Sequence, residues 1–199
     1  MLTFLDLVGV FVFALSGAIG GRLKQFDLFG MFMLALVTAT GGGTLRSILI
    51  GDLPPVTLRD ISYILVPAAA TVTAFFAQPL WERFSRAVSF FDALGLGLFS
   101  CLGVQVSLKA GLSPWAAIGL GMVTATFGGV LRDLLRGEIP LVFRKEVYAT
   151  AALIGGGLYY GSLSLGLSQT FSLTLGVLLT ATVRLLAIRY KVNLPGSSV

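Results

Sequence analysis

The chain has 199 residues, of which 56% are hydrophobic and only 12% charged, about half the roughly 25% of soluble domains. It has no histidine and one cysteine, Cys101, which removes the usual general base and excludes an internal disulfide or cysteine cluster. The net charge of +5 comes from basic residues scattered at helix ends, a pattern of membrane orientation and not of nucleic-acid binding.

Apolar segments of about 20 residues recur, the length that crosses a bilayer. The chain reads as a single transmembrane domain, all-α and integral to the membrane. The first span runs from about Phe4 to Gly20 and lacks a basic leader, so it is read as retained. The second runs from about Leu28 to Ile50 and ends at Gly51 and Pro54-Pro55, since glycine suits a helix C-cap and proline cannot continue the helix. The third, about Ile61 to Leu80, exits at Trp81, Arg83 and Arg86, an interfacial anchor set. The fourth is about Phe90 to Leu108, the fifth about Pro114 to Leu135 and the sixth about Glu146 to Tyr160. A seventh, about Phe171 to Ile188, has no partner elsewhere in the chain.

The first six spans are one pattern written twice. Thr40-Gly41-Gly42-Gly43-Thr44-Leu45-Arg46 recurs 86 positions later as Thr126-Phe127-Gly128-Gly129-Val130-Leu131-Arg132. Phe4, Asp6, Gly9, Phe13 and Gly17 match Phe90, Asp92, Gly95, Phe99 and Gly103 at the same offset. The repeats cover residues 3–80 and 89–160, with the extra helix at 171–188. Three spans per repeat place the second copy upside down relative to the first, so the repeats are inverted. Arg22, Lys24, Arg83, Arg86, Arg136, Arg144, Lys145, Arg189 and Lys191 would share one side, and Arg59 and Lys109 the other. The positive-inside rule then puts the N-terminus outside and the C-terminus inside a plasma (inner) membrane.

The residues inside the spans carry alternative readings. The glycine clusters either let helices approach closely or break the helix near the midplane, freeing carbonyls for a cation. Their equivalent places in inverted repeats favour the break. Arg46 and Arg132 either snorkel to the interface or face the bundle interior as functional charges. Asp6–Arg46 and Asp92–Arg132 are candidate pairs, one in each half of the membrane. The plain alternative for both aspartates is a charge favoured in the first turn of a helix. Asp133 follows Arg132, but Ser47 stands at the matching place. Arg184 reads as a snorkelling residue. Lys145-Glu146 reads first as a solvated helix start and second as part of the site.

The two glycine–arginine stretches resemble those of the bacterial trimeric intracellular cation (TRIC) channels. So do Phe91-Asp92-Ala93-Leu94-Gly95 and Ile139-Pro140-Leu141-Val142-Phe143-Arg144-Lys145-Glu146. The resemblance extends from Phe4 to about Pro195. It implies seven helices, a homotrimer, and a pore in each protomer that conducts monovalent cations, chiefly potassium. It also implies that the second and fifth helices are kinked at Gly41–Gly43 and Gly128–Gly129 and line the pore. Ser47 departs from the family, where aspartate is usual, and Phe127 replaces the first glycine of the second cluster.

The leading expectation is therefore a passive potassium- or sodium-permeable channel in contact with lipid. No cofactor, structural metal or nucleic-acid partner is expected. A transporter of a small solute such as glycine is the alternative, since inverted repeats serve it equally well. An enzyme is not expected, because no nucleophile–base constellation is visible.

Overall fold

The computed structural model describes residues 2–77, 86–144 and 147–192. Within them the chain is helical: α1 Leu2–Leu23, α2 Leu28–Leu49, α3 Val56–Arg59, α4 Ser62–Phe76, α5 Ala87–Lys109, α6 Pro114–Leu135, α7 Leu141–Arg144, α8 Ala149–Ser164 and α9 Gln169–Tyr190. Five of these, α1, α2, α5, α6 and α9, are long and apolar enough to cross a membrane. A 22-residue helix such as α2 spans about 33 Å at 1.5 Å per residue, against about 30 Å of hydrocarbon. The third and sixth expected spans appear as the shorter α4 and α8, of 15 and 16 residues. The expected end of the third span, with Trp81 and Arg83, lies outside the described residues, and so do Lys145 and Glu146.

Local chemistry sets the helix ends. The Asp27 carboxylate accepts from the Gly30 amide at 2.7 Å and caps α2. Pro114 opens α6 at a first-turn position, where its missing N–H costs nothing. Gly51 and Gly137, 86 apart, follow α2 and α6 with φ of +74° and +70°, the left-handed turn that glycine adopts without a Cβ penalty. Asp52 N donates to Ser47 O at 2.9 Å and Glu138 N to Asp133 O at 2.9 Å, so both ends close in the same way.

The centre of the bundle is a reciprocal crossing. A Cβ on Gly42 would sit 1.9 Å from the Thr124 carbonyl oxygen, and one on Gly128 would sit 2.0 Å from the Thr38 carbonyl oxygen. Because 42 and 128, and 38 and 124, are equivalent positions, α2 and α6 touch each other as two copies about a local two-fold. The neighbouring layers repeat the relation. Phe13 and Phe99 meet with ring centroids 5.2 Å apart, Phe99 lying against Gly9 and Phe13 against Gly95. A Cβ on Gly17 would be 2.8 Å from the Ala35 Cα in α2, and one on Gly103 2.8 Å from the Gly121 Cα in α6. The last helix ignores this symmetry. It packs mainly on α5 and α8, with Gly97 under the Val177 carbonyl and Gly155 under Thr180.

The expected break at the glycine clusters is not there: α2 and α6 run as uninterrupted helix through Gly41–Gly43 and Gly128–Gly129. A broken turn in lipid would leave carbonyls without partners. The glycines instead remove the side chains that would hold two backbones apart. Alanine at Gly42 or Gly128 should therefore force the helices apart, and thermal unfolding in detergent should register a loss of about 1–3 kcal/mol. Gly119 faces open space, so Gly119→Ala should be neutral or stabilising by up to about 1 kcal/mol. Equal stability of all three variants would refute the close crossing.

Candidate functional site

The residues of the two expected acid–arginine pairs meet different environments. The Arg132 side chain, on α6, is only 1% exposed. Its Nη1 donates to Asp92 Oδ1 on α5 at 2.6 Å and to Ser16 Oγ on α1 at 2.7 Å. Its Nε and Nη2 both lie 2.9 Å from Asp133 Oδ1. The second Asp133 oxygen accepts from the Leu141 amide at 3.0 Å, which ties the cluster to α7. Tyr148, just before α8, donates its hydroxyl to Asp92 Oδ1 at 3.2 Å. Gly129 makes room for that hydroxyl, since a Cβ there would lie 2.3 Å from it. The cluster thus holds one guanidinium between two carboxylates. Such a buried arrangement persists only when nearly every hydrogen-bonding site is matched. One atom is left over: Asp92 Oδ2 is buried without a partner.

The other half repeats the residues and not the bonds. Tyr63 on α4 donates its hydroxyl to Asp6 Oδ2 on α1. Arg46 is also buried, at 5% exposure, but no ion pair joins it to Asp6 among the described residues. Its Nε and Nη1 have no hydrogen-bond partner, although Asp6 is near enough for its charge to act on the guanidinium. The expected Asp6–Arg46 pair is therefore not formed. Ser47, standing where Asp133 stands in the second repeat, has no carboxylate to offer, and Asp52 is drawn away to Arg59 at 2.8 Å on the surface.

Both arginines lie inside the bundle, so snorkelling does not describe them. Arg184 corrects its expected role as well. It is 1% exposed, and its guanidinium lies 4.8 Å from the Tyr148 ring centroid. Tyr63, Tyr148 and Ser16 escaped the sequence reading, and Arg184 reads there only as a snorkelling residue. The two tyrosines are 85 apart and not 86, so a fixed offset does not align them.

The threonines of the glycine stretches turn inward on their own helices. Thr40 Oγ1 donates to Leu36 O at 2.7 Å and Thr126 Oγ1 to Met122 O at 2.9 Å. Gly41 faces Leu131, Gly43 lies nearest Arg46, and Phe127 is half-buried. Below α6 a surface network crosses from the α1–α2 loop. Lys24 and Arg136 meet Glu138 Oε1 at 3.1 and 3.2 Å. Partial burial raises the Glu138 carboxyl, but the Lys24 hydrogen bond and the Arg136 charge outweigh it, and its pKa falls below the ordinary value. Among the described residues no group of acidic or cysteine side chains is arranged to hold a metal ion.

The profile of a family described as glycine transporter matches residues 3–79 and again 89–163. The chain is 40% identical to a UPF0126 membrane protein of Vibrio cholerae, over 98% of this chain and 82% of that one. It is 36% identical to the inner membrane protein YadS of Escherichia coli, over 96% and 93%. The trimeric intracellular cation channel orthologue of Rhodobacter sphaeroides superposes with a TM-score of 0.89 at 35% identity, over 96% of this chain and 98% of that one. The chain belongs to the TRIC family. A prokaryotic TRIC channel solved in 0.5 M KCl gives a TM-score of 0.87 at 34% identity, over 97% and 98%. The two profile blocks begin 86 positions apart, as the charged residues do. This TRIC protein is accordingly a multi-pass membrane protein with helices placed as in those channels.

The Asp92–Arg132 contact makes a direct prediction. Arg132→Gln alone should cost about 3–5 kcal/mol, because it leaves two buried carboxylates uncompensated, and Asp92→Asn should cost less, because Asp133 still pairs with Arg132. The double variant should cost clearly less than the sum of the two. Strictly additive unfolding free energies in detergent would remove the pair from the argument.

Proposed function

We propose that the protein is a passive cation channel, permeable to potassium, with one path in each protomer of a homotrimer. The observation that carries the proposal is the buried acid–arginine constellation within a fold shared with solved cation channels. Those comparisons point to a channel and not to an enzyme. Seven helices cross the membrane in this reading, α4 and α8 completing two inverted repeats at 3–80 and 89–160, with the extra helix at 171–188. The N-terminus is outside and the C-terminus inside the inner membrane.

Unbroken helices keep their carbonyls, so oxygen for a dehydrating cation comes from side chains. Asp92 Oδ2 is a carboxylate oxygen without a competing donor. Thr40 and Thr126 give their protons to carbonyls and keep lone pairs free. Hydroxyl back-bonding of this kind also tends to bend a helix without breaking it, which supports kinked α2 and α6 as the pore lining. Arg132 repels a cation little, because Asp92 and Asp133 neutralise it. Among the described residues Arg46 has no carboxylate within bonding distance, and its charge is the main barrier in the outer half. Its displacement opens the path.

The alternative, transport of a small solute such as glycine, is favoured by the family description and by the two-fold packing, which suits alternating access. Purified protein in a planar bilayer should give unitary potassium currents, and Arg46→Gln should raise their conductance several-fold. Saturable glycine uptake into liposomes without unitary currents would overturn the channel in favour of the transporter. Orientation has its own test. Cysteine introduced by Lys109→Cys should label from outside intact cells and Lys24→Cys should not; the reverse pattern would invert the topology.

A further inference from the structure

We infer that Arg184 is a positioning residue that holds Tyr148 against Asp92 and so sets how firmly the inner half of the path is closed. Three contacts, which link α9, the turn before α8 and α5, carry this. The Arg184 guanidinium, from α9, covers the Tyr148 ring at 4.8 Å. Its Nη1 donates to the carbonyl of Val147 at 3.4 Å, which grips the residue next to the tyrosine. The Tyr148 hydroxyl then donates to the same Asp92 oxygen that Arg132 holds. A planar guanidinium can stack on a ring and donate in its own plane at once, which an ammonium does less well.

The fold explains why only one half has this device. The outer half repeats the acid, the arginine and the tyrosine as Asp6, Arg46 and Tyr63, but α9 has no counterpart in the first repeat. Among the described residues no cation covers the Tyr63 ring. The inner half is therefore closed by a five-helix network and the outer half is not. Burying Arg184 is costly, and its Nε is left without a partner. A residue that only filled space between α9 and α8 would be better apolar. Its charge acts through the tyrosine, away from the cation path itself.

This inference rests on the channel reading, and the experiment separates the two. Potassium flux into liposomes is measured for wild type, Arg184→Met, Arg184→Lys, Tyr148→Phe and the Arg184→Met/Tyr148→Phe double variant. Arg184→Met and Tyr148→Phe should each raise flux several-fold. The double variant should conduct no more than Tyr148→Phe alone, and Arg184→Lys, which keeps a cation on the ring but loses the planar fork, should fall between wild type and Arg184→Met. Unchanged or reduced flux in a folded Arg184→Met, or independent effects that multiply in the double variant, would overturn the role. Arg184→Gln is run alongside, so that a folding failure of the methionine variant leaves the test intact. The thermal unfolding of Arg184→Met, Tyr148→Leu and their combination is followed in detergent. Non-additive shifts there, with no potassium flux even in wild type, would sink the channel and leave the Arg184–Tyr148 coupling standing. Additive shifts would overturn the coupling itself.

Discussion

Helices in lipid gain little by hiding apolar surface from one another, so they associate where backbones can come close. In this protein the closest approach is between α2 and α6, where Gly42 faces the Thr124 carbonyl and Gly128 faces the Thr38 carbonyl. Much else follows from that contact. It fixes the separation of the repeats and leaves the phenylalanine pair Phe13–Phe99 to fill the next layer. It also keeps Arg46 and Arg132, each four residues beyond its glycine at 42 or 128, inside the bundle. A side chain at either glycine would spread the helices and let water reach both arginines.

The charged residues then obey different local arithmetic. Around Arg132, two carboxylates, a serine and a tyrosine supply nearly every bond that a buried guanidinium and its acids need. Around Arg46 the equivalent helices of the first repeat supply an acid already engaged by Tyr63 and a serine where the second carboxylate would be. Burial in low dielectric magnifies this difference, because an uncompensated charge is costly there and a matched one is not. One chemical substitution, Ser47 against Asp133, thus divides two structurally equivalent halves into a tight one and a loose one. The ninth helix adds to the division through Arg184, since it packs chiefly on helices of the second repeat.

Composition and the spacing of charged and small residues were enough to determine a polytopic helical membrane protein, the duplicated unit and its 86-residue offset. They also offered Asp92–Arg132 as a candidate pair, on the same footing as Asp6–Arg46, which does not form. These properties are local or periodic, so they can be read along one dimension. The lengths of α1, α2, α5, α6 and α9 follow from apolar run length and, at the end of α2, from the stop at Gly51 and Pro54-Pro55. Tertiary structure decided whether a glycine cluster breaks a helix or seats a neighbour, because that depends on what lies opposite, and opposite Gly42 lies a carbonyl 82 positions away. It likewise decided that Asp6 goes to Tyr63, that Asp92 is shared by Arg132 and Tyr148, and that Arg184 turns inward. Each of those outcomes is a competition among groups from different helices for a few buried bonds, and only the packed bundle sets which groups arrive within reach.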